Sequence, residues 1–180
     1  MAAGKILLTY ASKYGATETY ARWIGDALEI EPIPYKKVSA DDLASCSTLI
    51  HGGGLYGGGI AGSKLITKNS GILLEKHLVV FTVGISSAGN SETFNPVIEQ
   101  NFQPELRESI AFFHLRGGMD YKKLSFLHKT MMGAMRKALQ SKRPEDLSAD
   151  DTDLLEAYDK KVDFTDRDSL SPLLEYVRNL

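Results

Sequence analysis

The chain has a single cysteine, Cys46, in 180 residues. That excludes an internal disulfide, a thiolate-ligated iron–sulfur cluster and a cysteine zinc site, and leaves Cys46 as a small residue for a core. Metal-ligand spacing is lacking too. His51, His77, His114 and His128 are scattered, and no metal site is read. No window approaches the roughly eighteen apolar residues that a membrane span needs. The opening Met1-Ala2-Ala3-Gly4 has neither the basic start nor the apolar run of a secretory signal. The expected location is the cytoplasm, with peripheral contact at the inner face of the membrane left open. A strong charge of one sign is also missing: 21 Lys and Arg stand against 23 Asp and Glu. That is not the balance of a nucleic-acid binder. There are no internal repeats. An apolar fraction of 43% is that of a globular chain, and this length usually makes one domain with one core.

Strand-like and helix-like runs alternate. Strands are expected at Lys5–Thr9, Ile33–Val38, Thr48–His51, His77–Val83 and Ser109–Leu115. Helices are expected at Thr17–Glu29, Asp41–Ala44, within Ile60–Glu75, and at Thr93–Phe102, Lys123–Gln140 and Ser169–Leu180. The run HLVVFTV is apolar throughout, as in a strand buried on both faces. This order predicts an α/β fold: a doubly wound parallel sheet of five strands, order 2-1-3-4-5, with right-handed crossovers. Residues 1–180 read as one domain, and residues 116–160 as a helical insert after the fifth strand. Such a sheet binds ligands at the carboxyl ends of its strands, where three loops rich in glycine or serine should meet.

The first of these is Ser12-Lys13-Tyr14-Gly15-Ala16-Thr17, between the first strand and the first helix. Its backbone N–H groups and the helix N-terminus suit a phosphate. Ser12 and Thr17 can each donate one further hydrogen bond. The second, Gly52–Gly59, offers Tyr56 as an aromatic face for a flat ring, with Gly53, Gly54, Leu55 and Gly57 beside it. Gly52–Gly57 also matches G-x-G-x-x-G, but on the third strand rather than the first. The third loop supplies Ser86, Ser87, Ala88 and Gly89 as small donors for a ring edge. Trp23 falls beside the core stripe of its helix and reads as structural.

The S-x-x-G-x-T pattern at Ser12–Thr17 resembles the FMN-phosphate loop of flavodoxins. With the Gly/Tyr second loop, the stretch FFHLRGGMDYKKLSFLHKTMM (Phe112–Met132) and the ending DKKVDFTDRDSLSPLLEYV (Asp159–Val177), the chain resembles a particular group. These are the flavodoxin-domain proteins that include the short, bacterial, quinone-dependent protoporphyrinogen IX dehydrogenases. The resemblance implies non-covalent FMN and a two-electron oxidation of a porphyrinogen, with electrons passed to menaquinone or ubiquinone. By position it assigns Ser12–Thr17 to the phosphate, and Tyr56, its glycines and Ser86–Gly89 to the ring. It assigns Arg116, Tyr121, Lys122 and Lys123 to substrate propionates or to a membrane face. No side chain need act as a nucleophile.

The insert is charge-asymmetric. Eight Lys or Arg and one acid lie between Arg116 and Arg143, then seven acids and no Lys or Arg between Glu145 and Asp159. In its helix Leu124, Leu127, Met131, Ala134, Met135 and Ala138 form an apolar stripe expected to dock. Lys122, Lys129, Arg136 and Lys137 project opposite, joined by Phe126. That face is either solvated or adhesive towards anionic lipid or an acidic ligand. Two functions compete: an FMN-dependent oxidoreductase acting on a small-molecule donor and a quinone, and a soluble flavodoxin serving another redox protein. Carriers of the second kind are typically strongly acidic, which this chain is not. A nucleotide-binding or regulatory role on the same fold is the third alternative.

Overall fold

The computed structural model describes residues 4–87 and 91–180. From the N-terminal side the chain forms β1 (Ile6–Ala11), α1 (Ala16–Leu28), β2 (Ile33–Pro34), α2 (Ala40–Ser45), β3 (Thr48–Tyr56), β4 (Gly59–Ile60), α3 (Lys64–Thr67), α4 (Ser70–Leu73) and β5 (His77–Gly84). It continues as α5 (Ser91–Asn101), α6 (Pro104–Ser109), β6 (Ile110–Arg116), β7 (Gly118–Asp120), α7 (Phe126–Gln140), α8 (Ala149–Glu156), β8 (Lys161–Asp163) and α9 (Ser171–Arg178). Five parallel strands run in the order β2-β1-β3-β5-β6, as the alternation of the sequence requires, and β4 folds back antiparallel on the end of β3.

Strict alternation of side chains across the strands builds a core on each face. Leu7, Leu49, Leu78 and Val80 point to one side, against Leu43, Ile66, Leu73, Phe102 and Leu106. Leu8, Ile50, Val79 and Phe81 point to the other, against Tyr20, Ile24, Leu173 and Val177 of α1 and α9. Trp23 packs at the border of the second core, edge-on to Tyr20 at 5.3 Å. Cys46 is buried in the first, and its thiol donates to the Leu43 carbonyl.

Several boundaries differ from the sequence reading. The second strand shrinks to two residues, because Pro34 has no N–H for a ladder and a 3-10 turn, Tyr35–Lys37, follows it. The helix sought within Ile60–Glu75 is two single-turn pieces. The third strand does not stop at His51 but continues through the glycines to Tyr56, and Gly52, Gly53 and Gly54 are all buried. Each faces something that leaves no room for a Cβ. At Gly52 it is the Phe81 ring of β5, at Gly53 it is Ile60 and the Ala61 carbonyl, and at Gly54 it is the folded-back ring of Tyr56. The glycine run marks close packing inside a central strand, not a mobile loop.

The insert leaves the sheet between two strands that pair with each other. β7 and β8 are antiparallel, with Met119 opposite Val162, and the excursion between them carries α7 and α8. Much of its charge asymmetry is absorbed internally: Lys142 pairs with Asp151 at 3.0 Å, Arg143 with Asp146 at 2.8 Å, and Arg116 with Asp153.

Candidate functional site

The carboxyl ends of β1, β3 and β5 open into a cavity of about 310 Å³, at the low end for a ligand site. Its floor and walls are Tyr14, Ala16, Thr17, Leu55, Tyr56, Gly57, Gly58, Val83, Gly84, Ile85 and Ser86; Phe94, Val97, Gly117, Gly118 and Met119 close the sides. Leu124, His128, Met131, Met132, Met135 and Leu154 form a roof, all from the insert. The three expected loops are therefore drawn to one place, and a fourth element covers them.

The first turn is an unfilled helix start. Gly15 precedes α1 at φ 102°, a conformation closed to residues with a Cβ. No side chain caps the helix, so the first N–H groups of α1 are left for another acceptor. Gly15 N–H donates to Ser12 Oγ at 3.1 Å, which leaves the Ser12 hydroxyl hydrogen unused, and Lys13 N–H donates to Tyr56 Oη at 3.2 Å. Thr17 is only 2% exposed, and its hydroxyl makes no hydrogen bond to another described residue. A hydroxyl without a protein partner, on a residue that lines the cavity at an uncapped helix start, fits a phosphate oxygen.

Two histidines, His51 fully buried and His114 partly so, hold the later loops, and neither was singled out from the sequence. His51 lies opposite Thr9 across β1 and β3, and His114 lies opposite Thr82 across β5 and β6. His51 Nε2 is 3.0 Å from the Ala61 carbonyl and His114 Nε2 is 3.1 Å from the Ser86 carbonyl. A carbonyl only accepts, so each Nε2 carries the hydrogen. Each bare Nδ1 then accepts from its threonine, at 2.8 Å and 2.7 Å. Burial pushes both imidazoles down to a pKa of about 4, against partial compensation from the carbonyls they bond. The unfolded value is near 6.5, so both contribute fully above that pH and lose their contribution as pH falls through 4. Stability should decline by roughly 1.4 kcal/mol per pH unit for each histidine across that window. Urea midpoints measured from pH 7.5 to 4 check this, and His51→Asn should flatten the slope by about half.

Other expected site residues have different neighbours. Gly53 and Gly54 are inside β3 and do not reach the cavity. The Ser87 N–H and hydroxyl are both engaged by the Asp150 carboxylate of α8, at 3.1 Å. Ala88 and Gly89 lie outside the described residues. Arg116 is not free for an anionic substrate. Its guanidinium is paired with Asp153, its Nε donates to the Ile85 carbonyl at 2.8 Å, and it lies 4.0 Å over the ring of Phe164. Tyr121 packs on Tyr158 at 5.2 Å, while Lys122 and Lys123 are exposed and project outward. One face of Tyr56 is taken as well, because His128 stacks on it at 5.3 Å and 13°.

The face of α7 is also turned. Of the expected stripe, Leu124, Met131 and Met135 do line the cavity, but Leu127, Ala134 and Ala138 are exposed, and His128, Met132 and Leu139 point inward in their place. The inner face is shifted by roughly a fifth of a turn, at 100° per residue. The reason is His128, a polar residue that hydrophobic periodicity passes over, yet one whose ring is satisfied by Tyr14 Oη at 2.6 Å. Phe126 is left 87% exposed and Leu127 65%. Among the described residues, Lys122, Lys129, Arg136 and Lys137 form no ion pair. Arg136 lies 4.7 Å over the ring of Tyr158, and Lys129 lies 5.9 Å over Tyr121 while its Nζ donates to the Lys122 carbonyl at 3.2 Å.

Among solved structures the chain is similar to flavodoxin 2 from Bacillus cereus, at 17% identity over 84% of this chain and 93% of that one, TM-score 0.47. It is also similar to a flavodoxin, WrbA-like protein from Agrobacterium tumefaciens, at 14% identity over 98% of both chains, TM-score 0.44. No curated protein matches it. A family model described as a flavodoxin domain matches residues 7–146, a span that runs from β1 through the uncapped start of α1 to the end of the roofing helix. The chain belongs to the flavodoxin-domain family.

Proposed function

We propose that this protein is an FMN-dependent oxidoreductase passing two electrons from a porphyrinogen-type donor to a quinone, both admitted beneath α7. FMN is the cofactor to which the flavodoxin-domain match points, and when bound it supplies the redox chemistry. Ser12, Thr17 and the N–H groups at the start of α1 hold its phosphate. Leu55, Tyr56, Gly57 and Ser86 border its ring, with Gly53 and Gly54 shaping β3 behind them.

The observation that carries the reading is the roof. A protein acceptor needs on the order of 800 Å² of accessible surface around the redox centre, and the cavity that would hold that centre is roofed by Met131, Met132, Met135 and His128. A thioether-rich roof adapts to flat apolar molecules instead. Outside it, Phe126 and Leu127 are exposed at the start of α7, with Lys122 and Lys129 close in sequence and Arg136 and Lys137 further along the same helix. That combination suits an anionic membrane surface from which a lipid-soluble quinone is drawn.

The test is anaerobic turnover of protoporphyrinogen IX with menadione in solution, then with a long-chain quinone in anionic vesicles. Turnover with both is expected. A triple charge reversal, Lys122→Glu, Lys129→Glu and Arg136→Glu, should cut the vesicle rate at limiting lipid roughly 100-fold and leave the menadione rate within twofold, since three cations lost at about 1 kcal/mol each near the surface total about 3 kcal/mol. Reduction of a redox protein without turnover of either quinone would favour the soluble carrier instead.

A further inference from the structure

Three aromatic side chains from separate segments meet at the cavity: Tyr14 from the turn before α1, Tyr56 from the end of β3, and His128 from the first turn of α7. Ser125 N–H donates to Tyr14 Oη at 3.2 Å, so the phenol's own hydrogen is available to His128 Nδ1, 2.6 Å away. Burial, and then the nearby Lys13 ammonium, hold His128 below its ordinary pKa, which keeps it in the neutral form that accepts this bond. The same imidazole is nearly parallel to Tyr56, and Tyr14 stands edge-on to both, at 5.7 Å from Tyr56 and 5.6 Å from His128. The phenol end of the Tyr56 ring packs against Gly54, where an added Cβ would be 2.7 Å from Cζ.

His128 thus covers one face of Tyr56, and Gly54 abuts the phenol end of the ring. A flat ring can stack on the His128 face of Tyr56 only if His128 moves or Tyr56 is pushed further onto Gly54. Gly54 cannot yield, because it is in a central strand paired with Val83 of β5. α7 can yield: it is exposed along most of its length, and its first turn is held over the cavity by this cluster.

We propose that Tyr14, Tyr56 and His128 form a gate, with His128 as its moving leaf, so that admitting a flat ring onto Tyr56 and releasing the first turn of α7 are one event. The proposal rests on FMN occupying this site, and it makes Tyr14 and His128 positioning residues rather than catalytic ones. Amide hydrogen exchange tests it in the cofactor-free protein and after addition of FMN. Tyr14→Phe keeps the ring and removes the donor; His128→Leu removes the leaf. In cofactor-free protein, exchange at residues 126–132 should rise about fivefold in Tyr14→Phe, the worth of one hydrogen bond, and more in His128→Leu. Amides of β1, β3 and β5 should be unchanged, and FMN association, followed by quenching of its fluorescence, should quicken by a similar factor. In the unaltered protein, FMN should raise exchange at 126–132. Equal exchange there in the unaltered protein and Tyr14→Phe, or slower exchange on adding FMN, overturns the gate while FMN binding stands. Failure of all the proteins to bind FMN overturns the reading of the site itself.

Discussion

Gly52→Val is expected to destabilise the protein by about 3 kcal/mol, the upper part of the range for overpacking a filled core. Gly52 is fully surrounded in β3, and the place of its missing Cβ is already taken by the end of the Phe81 ring. Neither group can step aside. Phe81 is itself fully buried among Leu8, Ile50 and Val79 on the α1 face, and Gly52 is held in register between Tyr10 of β1 and Phe81 of β5. Chemical denaturation measures the loss as a lowered midpoint at unchanged slope. The second arm is Phe81→Leu, which removes the ring atoms that the new side chain would strike. In the Gly52→Val background that change should restore part of the loss, a coupling of about 1 kcal/mol or more. A simple sum of the two single losses would show that the clash is not the cause.

Thr17→Val should separate cofactor binding from folding. The two side chains are close in volume, and in the protein alone the lost hydroxyl has no described partner to strand, so the urea midpoint should stay put or rise slightly. Bound to FMN, the same change removes a donor to a charged phosphate. The expected cost is about 1.5–3 kcal/mol, read in a fluorescence titration as a dissociation constant raised roughly 10- to 100-fold. A fall in cofactor-free stability with unchanged FMN affinity would make Thr17 a structural residue and move the phosphate elsewhere.

Much of this architecture was legible in the residues because the signals were strong and local. HLVVFTV cannot be anything but a buried strand in a chain of this alternation, and a Ser/Gly/Thr turn between a strand and an amphipathic helix implies its own geometry. The glycines after His51 misled for a definable reason. Glycine signals either conformational freedom or lack of room, and only tertiary neighbours decide between them: Phe81 at Gly52, Ile60 and Ala61 at Gly53, and the returning Tyr56 ring at Gly54. His128 shows the complementary failure. Periodicity scores apolar residues, so a helix whose inner face carries a satisfied imidazole reads as rotated. The threonine–histidine pairs at Thr9–His51 and Thr82–His114 were invisible for a third reason, since register between non-adjacent segments has to exist before such partners can be recognised. The short pairing of β7 with β8 was missed on the same account.

One side chain binds together pieces that a simpler version of this architecture would keep apart. Arg116, at the last position of β6, reaches Asp153 in α8, the carbonyl of Ile85 after β5, and the ring of Phe164 on the way to the final helix. Cutting out residues 121–160 to obtain a minimal carrier would therefore strip a half-buried cation of its counterion and unmoor the segment after β5 at the same stroke. The covering module is an integral part of this scaffold, and a trimmed descendant would need a new residue at position 116 before it could stand alone.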